Sequence, residues 1–427
     1  MKKAIVVGSG AGGATVAKEL QGIYNVTLLD AGKEFRPFSI PLSLVDRIKK
    51  TGLLIDEREI QLLFSTMQIR KTEDRMVMVN GIGLGGTTTL ATGNAIRMDQ
   101  DLKGLGINLD AEFDELYQEI PVSTEHQKRW RPATQRLFEI CQEINLHPTA
   151  LPKMGDLKKC VNCGHCVLGC KYGAKWDSRK FLKLAIDKGA TLKTGCHVEQ
   201  VIMNGSKAVG VKYRKSLRSH ILEADLVVLA AGGFGTPAIL ENSGIRCDKR
   251  LFVDPVLCVA ARWEKAFQNK EISMPFVVER PGFILSPYFD YLSYFFNKKW
   301  RYPAQDTLGI MIKFADTNTG YITNKKIRKT LNEADHNRLK EGIDICHDIF
   351  GRLGIKKEQT ILGTINAGHP GGMLPLTEHD ALTLHPQRLP ENLYISDATL
   401  FPTSLGNPPS FTIMALAKRI GKLCLQN

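Results

Sequence analysis

The sequence has no apolar run long enough to span a bilayer, since a spanning helix needs about 20 consecutive apolar residues. A short apolar stretch near the N-terminus ends in glycines after a few residues, which is too short for the core of a signal peptide. These two absences argue against a membrane-spanning or secreted protein. We therefore expect a cytoplasmic protein.

A long basic stripe interleaved with aromatic residues is also missing, although the formal net charge is +13. The basic residues are scattered, with only small clusters such as 298–301. Because nucleic-acid-binding proteins usually concentrate their charge on one face, we expect no nucleic-acid partner. A docking face for an acidic electron carrier and peripheral contact with an anionic membrane are two interpretations. An ordinary solvated surface explains the charge equally well.

The remaining composition is that of a globular protein, with 43% hydrophobic and 24% charged residues. A chain of 427 residues can bury a large core and is expected to form two domains. It has ten cysteines. In a cytoplasmic protein these indicate free thiols or metal ligands rather than disulfides.

Glycines near the N-terminus form a dinucleotide-binding pattern. A short apolar strand leads into Gly8, Gly10 and Gly13, and a helix-forming stretch follows. In this pattern the glycines permit a tight turn, close approach of the backbone to a pyrophosphate, and close packing of helix on strand. A second strand ends in Asp30, whose carboxylate can accept the hydroxyls of an adenosine ribose. We predict a dinucleotide site; a glycine-rich turn of any parallel sheet is the alternative.

Three later segments extend the parallel α/β pattern. Gly85 and Gly86 precede three threonines that begin at Thr87, so this loop offers N–H groups and hydroxyls without bulk. Such a loop suits contact with a flat cofactor or its phosphates. A buried-strand pattern at 224–231 ends in small residues, and a further strand ends in Asp397. The fold predicted is α/β, with a Rossmann-type domain.

Four cysteines follow one another with the spacing C-x2-C-x2-C-x3-C: Cys160, Cys163, Cys166 and Cys170. Bacterial ferredoxins hold iron–sulfur clusters with this spacing, whereas zinc sites more often use two separated pairs. The residue after Cys170 is a lysine where ferredoxins have proline, so Cys141 and Cys196 are alternative fourth ligands. We predict a [4Fe-4S] cluster, with a zinc site or metal-free cysteines as alternatives.

Lysines flank the cysteines in sequence: Lys158, Lys159, Lys171 and Lys175. A positive rim of this kind favours the docking of an acidic electron carrier.

Residues 251–363 do not continue the alternation of strands and helices that is typical of a parallel sheet. They are predicted to form a smaller α+β substrate domain. Their aromatic stretch, 283–302, keeps no helical period, so it forms core or lines an apolar pocket. Two further candidate site residues follow. His369 is flanked by glycine and proline, although a lone histidine is more often structural. Asn407 precedes Pro408 at the expected start of a helix, whose N-terminus would stabilise negative charge on a cofactor.

Together these motifs resemble the glucose–methanol–choline (GMC) family of flavin oxidoreductases. Residues 84–88 resemble its first signature, and Thr236 and Pro237 with 243–245 resemble its second. The histidine signature of the family is compressed here around His369. The four-cysteine segment resembles one found in a subset of the family that includes long-chain alcohol and sterol oxidases. About half of the chain carries the resemblance, in the segments 1–35, 81–97, 172–245 and 364–425.

The resemblance implies a discontinuous FAD-binding domain of residues 1–250 and 364–427, with a four-cysteine insert at about 152–175. A reduced substrate domain, 251–363, completes the chain. The residues expected to bind FAD are Gly8, Gly10, Gly13, Asp30, Gly32, Gly85, Gly86, Thr87, Asn94, Val198, Asp397, Asn407 and Pro408.

The activity implied is hydride transfer from an alcohol carbon to the flavin. His369 would take the hydroxyl proton, and Asn407 would hold the alcohol oxygen. One hypothesis is an FAD-dependent alcohol dehydrogenase that passes electrons through the cluster to an acceptor protein or quinone. A second is an oxidase of an apolar alcohol or sterol that releases hydrogen peroxide. A third is an electron-transfer module that links a flavin and a cluster to a quinone without an organic substrate. A base at His369 favours the first two.

Overall fold

A computed structural model of the chain describes residues 1–51, 56–323 and 326–426 as an α/β fold. A parallel five-stranded sheet forms the Rossmann-type half. Its strands lie in the spatial order Leu393–Ile395, Leu226–Leu229, Lys2–Val7, Tyr24–Asp30 and Thr191–Thr194.

The central strand of this sheet is buried on both sides because parallel strands are covered by helices on both faces. Val7 pairs with Leu29 on one neighbouring strand and with Leu229 on the other. The three strands therefore end at the same edge of the sheet. The glycine turn after Val7, the carboxylate of Asp30 and the small residues that begin at Ala230 meet at this edge, which is where α/β sheets bind ligands.

A larger, mainly antiparallel sheet carries the other half of the molecule. Its main path has the order Met67–Lys71, Val77–Gly81, Asn366–Ala367, Val256–Arg262, Thr307–Phe314, Phe283–Pro287, Phe276–Arg280 and Thr149–Ala150, and Thr360–Leu362 pairs with Val256–Arg262. The sheet thus takes strands from both sides of the predicted domain boundary at residue 250. The division at 250 and 364 remains a prediction.

Smaller sheets complete the strands. One is antiparallel and contains Arg218–Glu223, Lys207–Lys215 and Cys196–Asn204. Two-stranded pairs join Tyr321–Ile322 to Ile327–Arg328 and Val122–Ser123 to Lys153–Met154. The α-helices of the described residues are Ala11–Glu19, Leu42–Lys50, Ile60–Leu63, Gln100–Gly104, Asp110–Glu119, Pro132–Glu143, Arg179–Asp187, Gly232–Asn242, Tyr291–Phe296, Glu333–Arg352 and Ser410–Gln426. None of these helices is both long enough and apolar enough to cross a bilayer.

The last helix begins at Ser410. The sequence predicted its start three residues earlier, at Asn407. Asn407 and Pro408 each precede a proline, and a residue before proline is disfavoured in the helical region. The two prolines therefore lie just before the helix instead of inside its first turn.

Candidate active site

Gly8 and Gly13 of the N-terminal turn have a steric reason for being glycine, and Gly10 borders open space. Gly8 has φ +97°, and a Cβ there would lie 2.3 Å from the Ala230 carbonyl oxygen. A Cβ on Gly13 would lie 1.9 Å from the Gly8 oxygen, because the helix packs directly on the strand. A Cβ on Gly10 would meet no atom within 4 Å, so this position faces open space. Gly10 also caps the helix without a side-chain hydrogen bond, so the first N–H groups of the helix face the same space.

That space belongs to a large cavity of about 1290 Å³. It runs from the glycine turn to the neighbourhood of the last helix. Eight predicted cofactor-binding residues and the predicted base line it: Gly8, Gly10, Asp30, Gly86, Thr87, Val198, Asp397, Pro408 and His369. Ligand pockets usually have about 300–1,000 Å³. The cavity is therefore large enough for an extended dinucleotide together with a substrate.

Asp30 is held at the cavity wall by its own neighbours. Its Oδ2 accepts hydrogen bonds from the Ser9 amide, 2.9 Å, and the Ser9 hydroxyl, 2.5 Å. Its Oδ1 accepts one from the Gly32 amide at 2.8 Å. Oδ1 is left with a lone pair, so it can accept a further hydroxyl from a ligand.

Five of the predicted cofactor residues do not line the cavity: Gly13, Gly32, Gly85, Asn94 and Asn407. Gly32 lets the loop around Gly83 pack closely, since a Cβ would lie 2.3 Å from the Gly83 Cα. Asn94 is buried beside Lys153 and donates to the Met274 sulfur at 3.2 Å. Asn407 is buried, and its Oδ1 makes no hydrogen bond in the described part of the chain. None of these five residues is therefore part of the cavity wall.

Asp397 joins two elements at the carboxyl edge of the parallel sheet. Its Oδ2 accepts from the Gly232 amide at 2.9 Å and from the Thr236 hydroxyl at 2.6 Å. Its Oδ1 accepts from the Thr399 amide at 2.9 Å. Burial raises the pKa of this carboxyl group. The contact with Thr236 explains why that threonine of the second signature is fully buried.

His369, which also lines the cavity, faces a buried carboxylate that the sequence did not reveal. Its Nδ1 lies 3.5 Å from Oδ2 of Asp254, just beyond hydrogen-bond length, and makes no hydrogen bond in the residues described. Burial and the nearby Lys313 charge lower the pKa of His369, and Asp254 acts in the opposite direction. The imidazole is therefore neutral at pH 7.

Lys313 makes an ion pair with the same oxygen. Its Nζ lies 3.0 Å from Oδ2 of Asp254 and donates to the Asp254 carbonyl at 3.2 Å, and both side chains are almost fully buried. Burial alone would raise the pKa of Asp254, but Lys313 and His369 hold it down at about 2. Lys313 also lines the cavity beside His369.

Asp254 connects this pair to the loop that carries Asn407. Its Oδ1 accepts from the Ser404 hydroxyl and, at 3.1 Å, from the Gly406 amide. Asp254 has φ +50°, a left-handed conformation that is uncommon outside glycine and is often found at functional sites. One carboxylate thus contacts the segments of both candidate catalytic residues.

The four cysteines of the ferredoxin-like segment line one pocket together. Cys170, whose role the sequence left open, lies with the other three. Cys141 is buried in a separate hydrophobic cluster, and Cys196 lines the large cavity instead. No group of three or more His, Cys, Asp or Glu side chains among the described residues is arranged to hold a metal ion. The predicted cluster therefore stays a prediction.

Two buried lysines lie against this cysteine pocket. Lys175 donates to the carbonyl oxygens of Thr88 (3.1 Å), Thr89 (2.8 Å), Ala91 (2.6 Å) and Cys166 (3.0 Å). Lys153 donates to the Asn94 side chain and, at 2.6 Å, to the Ser273 carbonyl. Burial lowers the pKa of Lys175 and brings that of Lys153 to about 7. The prediction that Lys175 forms part of a surface rim is therefore wrong, because its ammonium is needed inside to satisfy carbonyl oxygens.

The cysteine pocket and the large cavity share a wall. Cys166 and Cys170 line the pocket, whereas Val167 and Leu168 between them line the cavity. Thr92 borders both spaces. The two spaces are therefore separated by little more than one layer of residues.

The sequence analysis missed Asp254, Lys313 and Lys153. One signal was present, because Lys313 interrupts the otherwise apolar end of a strand whose residues are all buried. The residues that interact with it are distant in sequence, so their meeting could not be inferred from spacing.

Comparison with known proteins gives a consistent result. The sequence model of the GMC oxidoreductase family matches residues 2–256. The uncharacterized protein MJ1450 of Methanocaldococcus jannaschii is 29% identical over 97% of both chains. A long-chain-alcohol oxidase of Arabidopsis thaliana is 26% identical over 59% of this chain and 36% of its own length. An uncharacterized GMC-type oxidoreductase of Mycobacterium tuberculosis is 26% identical, with 40% of its length matched. The chain thus spans less than half of these last two relatives.

Solved structures with the same fold include oxidases. Pyridoxine 4-oxidase from Mesorbium loti superposes with a TM-score of 0.73 over 99% of both chains, at 15% identity. Formate oxidase of Aspergillus oryzae gives a TM-score of 0.72 over 99% of this chain and 98% of that one, also at 15% identity. The predicted α/β, Rossmann-type fold is confirmed.

Proposed function

This chain belongs to the GMC oxidoreductase family of FAD-dependent enzymes, and on that premise we propose that it is a dehydrogenase of an apolar alcohol. We propose further that its electrons leave singly, through an iron–sulfur cluster, to an acceptor protein or quinone.

The residues of the large cavity fit FAD. The uncapped N-terminus of Ala11–Glu19 offers N–H groups to a pyrophosphate, and Asp30 keeps an acceptor for a ribose hydroxyl. Pro408 and Ser410 bring the start of the last helix to the same cavity, where its dipole favours negative charge. Bound FAD would accept hydride from the alcohol carbon.

His369 is suited to act as the base. It lines the cavity, and burial keeps its imidazole neutral at pH 7. Since Nδ1 is directed to Asp254, Nε2 is the nitrogen left to take the hydroxyl proton. We retain Asn407 as a partner of the alcohol oxygen, because it directly precedes Pro408, which lines the cavity, and its amide N–H can donate to that oxygen.

Apolar side chains in the cavity wall favour an apolar alcohol. Aromatic and aliphatic groups line it, among them Tyr288, Tyr291, Phe295, Met311 and Val256. Part of the predicted aromatic stretch thus lines the cavity, while Phe289, Tyr294 and Trp300 belong to the core.

Several features of the cysteine pocket support an iron–sulfur cluster. Backbone N–H groups of Asn162 and His165 bond to the sulfurs of Cys160 and Cys163, and the Lys175 amide lies 3.5 Å from the Cys170 sulfur. Such N–H···S bonds stabilise thiolates and tune cluster potentials. Burial raises the pKa of Cys160 and Cys163, so free thiolates need nearby positive charge. A single metal ion needs all its ligands within about 2.3 Å of one point, whereas a cluster occupies the space between separated sulfurs.

The observation that carries the proposal is the shared wall. A cluster held by Cys166 and Cys170 would lie just behind Val167 and Leu168, which line the FAD cavity. Hydride brings electrons as a pair, whereas a cluster accepts one at a time. Adjacency of the two sites therefore favours a dehydrogenase with a one-electron acceptor. Lys158, Lys159 and Lys171 are exposed near the pocket and suit an acidic carrier.

A second candidate is an oxidase of a long-chain alcohol with metal-free cysteines. The similarity to a plant long-chain-alcohol oxidase and the apolar cavity wall favour it. A module without an organic substrate has less support, because it would need neither His369 nor the apolar end of the cavity.

Anaerobic rapid mixing tests these alternatives. The FAD-loaded protein is mixed with butan-1-ol, octan-1-ol and benzyl alcohol, and flavin bleaching is followed. Reoxidation by ferricenium and by oxygen is then compared. We expect bleaching by octan-1-ol and faster reoxidation by ferricenium. Bleaching followed by full-rate peroxide formation would favour the oxidase, and no bleaching by any alcohol would overturn the proposed function.

A further inference from the structure

We propose that Lys313 is a further catalytic residue of this site, whose ammonium binds the alcohol oxygen and stabilises the negative charge that develops there. The inference deepens the proposed function and rests on it.

The position of Lys313 follows from its strand. Residues of Thr307–Phe314 are all buried, and alternate side chains point to the same face of the sheet. Met311 and Lys313 share one face, and both line the cavity. The Lys313 side chain is only 2% exposed, so its ammonium is a charged group within an apolar wall. A ligand oxygen that enters this end of the cavity will meet it.

The contacts of Lys313 leave one donor for a ligand. An ammonium has three N–H groups. One donates to the Asp254 carbonyl oxygen, and the ion pair with Oδ2 of Asp254, at 3.0 Å, occupies at most a second. The third has no partner among the hydrogen bonds of the described chain, and Lys313 lines the cavity.

Lys313 and His369 are arranged around one oxygen atom. Oδ2 of Asp254 lies 3.0 Å from the Lys313 Nζ and 3.5 Å from the His369 Nδ1. A cation and a neutral base therefore lie side by side at the cavity wall. Asn407 does not line that wall. This makes Lys313 the better placed of the two groups to hold the alcohol oxygen.

The chemistry balances with these groups. The O–H proton passes to the imidazole of His369, and the C–H hydrogen leaves with its electron pair as hydride to the bound FAD. The carbon becomes a carbonyl, so the alcohol is oxidised while FAD is reduced. Negative charge on the oxygen is greatest during the transfer, and a preorganised cation lowers the energy of that state.

A buried ion pair is not needed for stability, since apolar residues of similar volume can replace such pairs without loss. Lys418 provides a comparison within the chain. Its side chain is 1% exposed and its Nζ lies 2.9 Å from Glu19, but it does not line the cavity. Lys418→Met is therefore a matched control for the loss of a buried, paired lysine.

Binding of octanoate and octanamide to the FAD-loaded protein, followed by flavin absorbance, tests the role without turnover. Octanoate presents a negatively charged oxygen, whereas octanamide has the same length and no charge. We expect wild type to bind octanoate at least tenfold more tightly. Lys313→Met and Lys313→Gln should remove this preference, while Lys418→Met and Lys71→Met should keep it. Lys71 also lines the cavity, so it controls for general attraction of anions.

Flavin reduction by octan-1-ol provides the second measurement. We expect Lys313→Gln to slow it about 10²-fold or more, the usual effect of removing a group that stabilises charge in the transition state. Equal affinity of wild type for the two probes, or a preference unchanged in both Lys313 variants, would overturn the proposal. If wild-type flavin is not reduced by any alcohol, the proposed function fails, while the binding comparison still decides whether Lys313 holds a ligand oxygen.

Discussion

Lysine ammonium groups are buried at both candidate sites, and the two sites satisfy them differently. Beside the candidate base, Lys313 lies 3.0 Å from the Asp254 carboxylate. Beside the cysteines, Lys153 and Lys175 donate to neutral oxygens at each hydrogen bond described for them. One region carries its own counter-charge, and the other has cations without a carboxylate partner.

This difference indicates what each region binds. A buried charge without a partner is costly, so it favours a site that receives the opposite charge. Thiolates around an iron–sulfur cluster would supply that charge beside Lys153 and Lys175. Beside His369, Asp254 already balances Lys313, so the pair can receive a neutral alcohol while one N–H of the ammonium stays available to the alcohol oxygen.

The largest effect is expected at the cysteine pocket. Cys163→Ser should remove iron from the purified protein and abolish turnover with one-electron acceptors, because a serine oxygen is a poor replacement for a thiolate ligand. Flavin reduction by substrate should persist. Cys247→Ser changes a partly buried cysteine outside the pocket and should leave iron unchanged. Full iron content in Cys163→Ser would contradict the proposal that the cysteine pocket binds the cluster.

The next effect is at the base. His369→Ala should leave FAD bound and slow its reduction by about 10²–10⁴-fold, the usual contribution of a positioned base. Anaerobic stopped-flow absorbance measures the rate. Because burial lowers the pKa of His369, the wild-type rate should be constant through pH 7 and fall only at lower pH, where the imidazole becomes protonated. Equal rates for variant and wild type would make His369 structural.

Removing one partner of the buried ion pair between Asp254 and Lys313 should destabilise the fold. Asp254→Asn leaves Lys313 buried without a counter-charge and should lower the free energy of unfolding by about 3–5 kcal/mol. Combining Asp254→Leu with Lys313→Met should cost less than that, because both charges are removed together. Urea titration measures each value. Asp187→Asn breaks an exposed pair with Lys183 and should cost no more than about 0.5 kcal/mol. A single Asp254 variant as stable as wild type would contradict the comparison.

Measured per pH unit, the smallest effect concerns pH and Lys153. The pKa of Lys153 falls to about 7 in the folded chain, so between pH 7 and its ordinary pKa the unfolded chain binds more protons there. Stability of the cluster-free protein should therefore rise with pH in this window. The contribution is up to about 1.4 kcal/mol per pH unit for one group. Lys153→Met should remove it, and a cluster bound nearby should reduce it. An identical pH slope in wild type and variant would contradict this.

Much of the cofactor end could be predicted from sequence because its signals are local. The glycines from Gly8 to Gly13 and the carboxylate of Asp30 follow a strand, turn and helix pattern whose geometry fixes their spacing. The four cysteines lie within one short segment. In such patterns the spacing along the chain determines the local geometry of the site.

The catalytic end could not be predicted in the same way. Lys313 contacts Asp254 because Lys313 pairs across the large sheet with Val256, two residues after Asp254. Asn366, three residues before His369, also pairs with Val256. These register contacts join residues more than fifty positions apart, and the sequence contains no local pattern for them. The same long-range packing places Lys175 inside the molecule, although its neighbours in sequence suggest a surface residue.

Counting electrons tests the central claim most directly. Protein purified without oxygen is analysed for FAD and iron, then titrated with dithionite while the visible and electron paramagnetic resonance spectra are recorded. We expect one FAD and about four irons per chain, about three electrons taken up, and the signal of a reduced [4Fe-4S] cluster. That signal should be lost in Cys163→Ser. One FAD without iron, and only two electrons per chain, would contradict electron exit through the cysteine pocket.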